Sequence, residues 1–172
     1  MKLDLLPALE HPELLAPPVA SAVTAEMQVA AIDGTLADTA AFCEAYDVPL
    51  DISANCVIVA GRRGEATRYA ACMILATTRL DVNGVVRRLL DARKASFAPM
   101  DDAVALTGME YGGITPVGIP ADWMLLVDAR IVPLPQVVVG AGIRGAKLLL
   151  PGAALAALPN AEVVEELARD AA

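Results

Sequence analysis

The residues with the clearest chemical potential form a glycine-rich stretch at positions 107–118, with the sequence TGMEYGGITPVG. Four glycines and a proline in twelve positions exclude a regular helix or strand, because glycine admits positive φ and proline fixes φ. A loop of this kind, held between apolar segments, can present backbone N–H groups to a ligand. Such donors stabilise the carbonyl oxygen of an ester and the oxyanion that develops during hydrolysis. The alternative is a long connection in which the glycines only form turns.

The rest of the chain shows no evident pair of a nucleophile and a base. The one histidine, His11, lies among prolines and is interpreted as a surface or helix-start residue. Cys43, Cys56 and Cys72 have neither paired nor metal-ligand spacing, so we expect no metal and no cofactor. The sequence contains no Ser-His-Asp order, Walker loop or complete dinucleotide fingerprint. Asp33, between a predicted strand and a predicted helix, is either a ligand contact or a helix cap.

Charge is distributed unevenly along the chain. The net charge is −8, which argues against indiscriminate binding of nucleic acid. Positions 62–94 nevertheless hold eight basic residues and three acidic ones, a local charge of +5. The phosphate backbone of a nucleic acid can bind to such a segment. The candidate residues for this binding are Arg62, Arg63, Arg87 and Arg88. A solvated helix face and a hairpin loop would give the same pattern.

The composition is that of a globular chain of 172 residues, long enough to bury a core. Hydrophobic residues make up 56% but aromatic residues only 3%, so the core must be built from Ala, Val, Leu and Ile. The longest apolar run is too short to span a membrane, and positions 1–20 lack the pattern of a signal peptide. We therefore predict a cytoplasmic, metal-free protein without a membrane segment.

Helices and strands alternate along the chain without an internal repeat or linker. Positions 82–90 follow the apolar spacing of a helix capped by Asp81, which turns Arg87 and Arg88 outward. Two apolar runs at 56–60 and 69–76 predict an antiparallel hairpin with a wide polar loop. Further strands are predicted at 25–32, 94–97, 124–127, 136–139 and 147–150, and further helices at 35–46, at 101–106, after Pro151 and after Asn160. These elements predict one α+β domain over residues 1–172, with a mixed, mostly antiparallel sheet flanked by helices.

The order of the motifs resembles the YbaK/EbsC-like family, the prolyl-tRNA-editing or aminoacyl-tRNA deacylase domain. The loop pattern of that family is a threonine-glycine pair, a short spacer and then Gly-Gly-(Ile or Val)-x-Pro-x-Gly, and positions 107–118 contain all of it. KASFAPM at 94–100 precedes the loop, and LVD at 126–128 and VVGAG at 138–142 follow it. The likeness covers roughly residues 25–168 and implies a YbaK-like fold.

The resemblance implies a free-standing trans-editing domain that hydrolyses the ester of mischarged aminoacyl-tRNA without a metal. This ester is already activated, and the terminal ribose brings a vicinal hydroxyl beside the carbonyl. A pocket then needs only donors and a positioned water. The expected partner is aminoacyl-tRNA. The candidate substrate-binding residues are Gly112, Gly113, Ile114, Thr115, Pro116, Gly140, Gly142 and Asp33.

One position departs from the family pattern. The family places a lysine early in the strand that starts near Asn55, and the equivalent position here is Cys56. A thiol cannot replace an ammonium in binding phosphate or polarising an ester. The protein therefore uses another basic residue, edits a different substrate, or has lost catalysis and kept binding. The catalytic group stays unassigned. The alternative functions are an inactive family member that binds a ligand or regulates a partner, and a purely structural or interaction protein.

Overall fold

The computed structural model of the protein describes residues 1–171 as an α+β structure built mainly from strands. The strands are β1 (Leu6–Pro7), β2 (Gln28–Ala31), β3 (Ala54–Arg63), β4 (Ala66–Leu75), β5 (Thr78–Leu80), β6 (Lys94–Phe97), β7 (Met124–Asp128), β8 (Val137–Gly140), β9 (Ala146–Leu150), β10 (Ala161–Val164) and β11 (Ala168–Asp170). The helices are α1 (Pro17–Ala20), α2 (Thr39–Tyr46), α3 (Arg87–Leu89), α4 (Met100–Thr107) and α5 (Gly152–Ala156). Short 3-10 turns lie at Ala8–Glu10, Pro12–Leu14, Gly34–Leu36 and Leu50–Ile52.

Two larger sheets and a short ribbon make up the architecture. The first sheet has the order β10-β7-β4-β3-β6 and combines antiparallel with parallel neighbours. The second has the order β1-β2-β9-β8 and is antiparallel throughout. β5 and β11 form the ribbon. The predicted α+β class, with mostly antiparallel pairing and flanking helices, is confirmed, although the strands are divided among three sheets.

The two larger sheets meet at the start of β3. Ser53, just before β3, forms a parallel bridge with Val138 of β8. β4 pairs with one edge of β3 along the whole strand, whereas β6 pairs with the opposite edge only from Val59 to Arg62. Residues 54–57 of β3 therefore have no ladder partner on the side that β6 would occupy. A backbone edge is left open at this junction.

Burial on both faces holds β3 in place. Ile58 packs into the largest apolar cluster with Met73 and Leu125, whereas Val59 packs into a second cluster with Leu126. These assignments follow from the alternation of side chains along a strand. The position of the β3 edge is therefore fixed by two apolar clusters rather than by the polar groups near it.

The wide hairpin loop predicted between β3 and β4 is wrong. The two strands continue to the pair Arg63 and Ala66, and a two-residue turn joins them. Gly64 has φ +60° in this turn, which glycine accepts without strain. The polar residues of the predicted loop are exposed parts of the strands, such as Arg62 and Arg68. Their polarity reflects solvent exposure and not an irregular backbone.

Two predicted helices differ at their starts. The helix predicted from position 35 begins at Thr39, because Asp38 caps it by accepting the N–H of Ala41 at 3.1 Å. The helix predicted after Asp81 begins as a π-helical turn, Val82–Val86, and continues as α3. Its exposed face carries both predicted outward arginines, which follow Val86 directly.

The helix predicted after Asn160 is wrong. Asn160 adopts φ +61°, and the following residues form β10, which pairs parallel with β7 from Ala161 and Leu125 onward. The predicted helix rests on Val163, Val164 and Leu167, which have the spacing of one helical face. The free edge of β7 instead supplies backbone partners for a strand. Pairing between distant segments has overridden the local pattern.

Candidate functional site

A cleft of about 490 Å³ opens at the junction between the two larger sheets. Its walls come from the start of β3, the beginning of α2, the end of β8, the start of β9 and the glycine-rich loop. The polar part of the lining consists of Asp38, Thr39, Asn55, Cys56, Arg144 and Lys147. The loop contributes Tyr111, Gly112 and Ile114, and β8 contributes Gly140.

The glycine-rich loop lies against the end of β8 with backbone next to backbone. The N–H of Gly142 donates to the carbonyl oxygen of Gly113 at 2.7 Å, and the N–H of Glu110 donates to that of Gly142 at 2.8 Å. A Cβ on Gly140 would lie 2.6 Å from the carbonyl oxygen of Gly113, and a Cβ on Gly113 would lie 2.6 Å from that of Ile143. Glycine is required at both positions because the two chains approach so closely.

Of the four backbone N–H groups from Gly112 to Thr115, two form contacts within the loop. The N–H of Gly113 donates to the carbonyl oxygen of Glu110 at 3.0 Å, and the N–H of Thr115 approaches a buried methionine sulfur at 3.5 Å. The N–H groups of Gly112 and Ile114 have no acceptor within residues 1–171, and both residues line the cleft. Gly112 and Ile114, two positions apart, thus each retain a backbone N–H that can donate to an oxygen of a bound ligand.

The predicted substrate-binding residues separate into three groups. Gly112, Ile114 and Gly140 line the cleft. Gly113, Thr115, Pro116 and Gly142 are buried and do not line it. The hydroxyl of Thr115 is buried without a hydrogen-bond partner among the described residues. Asp33 is exposed outside the cleft.

Asp33 caps the 3-10 turn that precedes α2. Its carboxylate accepts the N–H of Thr35 at 2.9 Å and the hydroxyl of Thr35 at 2.7 Å. These two hydrogen bonds hold the pKa of Asp33 below its usual value. Of the two sequence-based alternatives, this geometry corresponds to the cap.

Cys56 lines the cleft, but its thiol is a poor nucleophile. Burial raises its pKa to about 12, so the thiol is protonated at neutral pH. The only histidine, His11, forms a 2.8 Å hydrogen bond with Glu13 and does not line the cleft. The residues 1–171 therefore supply no imidazole to activate Cys56.

Two cations that the sequence analysis missed come from the segment around β9. Arg144 is exposed, and its guanidinium donates to the carbonyl oxygens of Gly34 at 3.3 Å and Tyr111 at 3.4 Å. Lys147 is half-buried, with its ammonium 5.0 Å from the centre of the Phe42 ring. One signal for Lys147 was present in the sequence, since it interrupts an otherwise apolar strand, AKLLL.

Asn55 was also missed, and it lies at the open edge of β3. The hydroxyl of Thr39 donates to Oδ1 of Asn55 at 2.7 Å, which orients the side-chain amide. The amide nitrogen has no acceptor within residues 1–171 and is therefore available as a donor on the cleft side. Asp38, the one carboxylate in the lining, is already used as the cap of α2.

A second groove, of about 540 Å³, follows the edge strand β6, and we call it the basic groove. Its cations are Arg62, Arg87, Arg93 and Lys94, and none of them forms an ion pair with a carboxylate of residues 1–171. Phe97 lies in the same groove and exposes 64% of its surface. The groove therefore joins unpaired positive charge with an accessible aromatic ring.

The four predicted tRNA-binding residues do not all reach the basic groove. Arg62 and Arg87 line it. Arg63 instead forms an ion pair with Asp91 at 2.9 Å, and Arg88 is exposed outside the groove. Sequence reasoning missed the contribution of Phe97, because its exposure depends on β6 being an edge strand.

Solved structures with a similar fold include three of comparable length. A hypothetical protein designated APE2540 is 22% identical, with a TM-score of 0.73, over 83% of this chain and 91% of that one. A protein provisionally described as a trans-editing enzyme for prolyl-tRNA synthetase is 18% identical, with a TM-score of 0.73, over 94% and 98%. A scaffold used for computational grafting of linear epitopes is 19% identical, with a TM-score of 0.74, over 92% and 96%. These similarities establish a shared fold.

The sequence comparison identifies the family. A model of the aminoacyl-tRNA editing domain matches residues 34–158, most of the chain. The chain belongs to the aminoacyl-tRNA editing domain family, as its resemblance to editing domains predicted. A comparison with curated proteins gives no match.

Two further observations concern the chain as a whole. Within residues 1–171, no helix has the length and hydropathy needed to cross a membrane. Over the same residues, no three side chains of His, Cys, Asp or Glu are grouped so that they could hold a metal ion.

Proposed function

We propose that the cleft hydrolyses the ester bond of a mischarged aminoacyl-tRNA, and that the protein acts in trans as a free-standing editing domain. The observation that carries this proposal is the pair of unpartnered backbone N–H groups of Gly112 and Ile114 in a cleft that also contains Lys147. Membership in the aminoacyl-tRNA editing domain family supports a role of this type. A protein of similar fold is provisionally described as a trans-editing enzyme for prolyl-tRNA synthetase.

The reaction needs an oxyanion site and a positioned water. The carbonyl oxygen of the ester binds to the N–H groups of Gly112 and Ile114, and negative charge develops on it when water attacks the carbonyl carbon. The tetrahedral intermediate then collapses, and the bond to the ribose oxygen breaks. The vicinal hydroxyl of the terminal ribose relays the proton from the attacking water to the leaving oxygen. The products are the free amino acid and the uncharged tRNA.

This mechanism requires no nucleophile from the protein. The thiol of Cys56 is protonated at neutral pH because burial raises its pKa, and no histidine lines the cleft. An ester bound near its own hydroxyl gains most from orientation, which a rigid site supplies. The close packing of Gly113 against the segment around Gly142 provides that rigidity.

The basic groove is suited to the rest of the tRNA. β3 contributes Cys56 to the cleft and Arg62 to the groove, and the six residue steps from one to the other span roughly 20 Å. A tRNA whose terminal ester enters the cleft can therefore place phosphates near Arg62 and Arg87. Phe97 is available to stack on an unpaired base.

A second candidate function is binding without hydrolysis. The observation that favours it is Cys56 at the position where the family pattern has a lysine, in a cleft without an obvious general base. One experiment separates the two functions: each of a panel of aminoacyl-tRNAs is incubated with excess protein, and both ester loss and binding are measured. Accelerated ester loss supports hydrolysis. Saturable binding with a rate of ester loss equal to that in buffer supports the second function and refutes the first.

A further inference from the structure

Lys147 is an unpaired cation in the wall of the cleft. It lies on β9 between two partner strands, opposite Ala30 of β2 and Gly140 of β8. Within residues 1–171, its ammonium forms no hydrogen bond and has no carboxylate oxygen within 4.0 Å. The ammonium lies over the face of the Phe42 ring, 5.0 Å from the ring centre.

Partial burial of this ammonium is unfavourable for the fold. Loss of hydration lowers the pKa of Lys147, and the nearby Cys43 and Asp38 only partly oppose this effect. An apolar side chain at position 147 would avoid this loss of hydration. The alternative is a side chain that packs its stem on Phe42 and leaves its charge in water. That alternative does not account for the placement of the charge in the same cleft as the unpartnered N–H groups of Gly112 and Ile114.

The other charged groups of the cleft are already engaged. Arg144 holds two turns together through the carbonyl oxygens of Gly34 and Tyr111. Asp38 accepts the N–H of Ala41 at the start of α2. Lys147 is therefore the cation of the lining that has no hydrogen-bonding role within the described part of the chain.

We propose that Lys147 donates to the carbonyl oxygen of the bound aminoacyl ester, and so supplies from β9 the positive charge that Cys56 cannot supply from β3. This inference rests on the proposed function. As negative charge develops on the oxygen, the ammonium stabilises the transition state more than the bound substrate. Lys147 and the N–H groups of Gly112 and Ile114 together form the oxyanion site. Lys147 transfers no proton, so the reactants and products are the same as in hydrolysis by water alone.

The test is the variant Lys147→Met, which keeps the length of the side chain and removes its charge. We expect kcat for deacylation to fall by about 100-fold or more, the effect of removing one oxyanion donor, with KM nearly unchanged. Lys2→Met is the matched control, because Lys2 is exposed and is not part of the cleft lining, and it should retain wild-type kcat. Thermal unfolding of both variants checks that the fold is intact.

A second experiment moves the positive charge from position 147 to position 56 of the same cleft. If Lys147 acts through its charge, the double variant Lys147→Met with Cys56→Lys should recover at least part of the lost kcat, because both positions line the same cleft. A wild-type kcat in folded Lys147→Met, or a loss confined to KM, would overturn the assignment of Lys147 while leaving the proposed function intact. No turnover by the wild-type protein on any aminoacyl-tRNA would instead refute the proposed function.

Discussion

Replacing Gly140 by alanine tests whether close backbone packing holds the oxyanion site. The new Cβ would lie 2.6 Å from the carbonyl oxygen of Gly113 and 2.8 Å from that of Ile114. Both neighbours are backbone atoms, so neither can rotate away as a flexible side chain could. An ordinary contact of 3.4 Å requires the glycine-rich loop to retreat by about 0.8 Å.

This displacement has two expected consequences. Overpacking a tightly packed position lowers the free energy of unfolding by about 1–3 kcal/mol, which lowers Tm by roughly 2–12 °C in a chain of this size. The N–H of Ile114 moves with its loop, and a misplacement approaching 1 Å reduces catalysis by up to about 100-fold. Differential scanning fluorimetry and a deacylation assay on the same preparation measure both effects.

Gly145→Ala is the matched control. Gly145 precedes β9, and a Cβ there would meet only the carbonyl oxygen of Ile32, at 3.9 Å. Its φ lies outside the left-handed region, so alanine is accommodated, and we expect Tm to stay constant or rise slightly. If Gly140→Ala and Gly145→Ala had the same Tm and activity as the wild type, close packing would not be what positions the loop.

Three further predictions concern charge and the thiol. Arg87→Glu should weaken tRNA binding and reduce its salt dependence more than Arg88→Glu does, as measured by filter binding over a salt series, because Arg87 lines the basic groove; equal effects would contradict this. Cys56→Ala should retain most deacylase activity, and loss of turnover with intact binding would identify the thiol as a catalyst. Lys147→Met should raise Tm at neutral pH, because the folded state lowers the pKa of this lysine and so disfavours its charged form. This gain should shrink as pH rises through the lowered pKa towards 10.5, and a gain independent of pH would refute the electrostatic cause.

The glycine-rich loop was predictable because its constraint is local. Glycine density and one proline are visible at positions 107–118, and they exclude regular structure whatever surrounds them. Which glycines reach the cleft was not predictable. Gly113 and Gly142 are used to bring two chain segments together, whereas Gly112 lies at the cleft surface. That distinction depends on contacts between residues roughly 30 positions apart.

The cations of the cleft could not be inferred for a similar reason. Lys147 and Asn55 line the same cleft only because β8, which pairs with β9, lies beside the start of β3. The segment after Asn160 shows the same limit, since its valines fit either a helix or a strand until the free edge of β7 is known. Local patterns predicted the class of the fold, and pairing between distant strands determined the composition of the cleft.

The most direct test of the central claim is hydrolysis of the ester by the purified wild-type chain. A panel of tRNAs, each charged with a different labelled amino acid, is incubated with excess protein, and release of the label is followed over time. We predict that at least one ester is lost about tenfold or more faster than in buffer, and that Lys147→Met abolishes most of this acceleration. Release at the buffer rate for every aminoacyl-tRNA, at protein concentrations that saturate tRNA binding, would contradict this prediction.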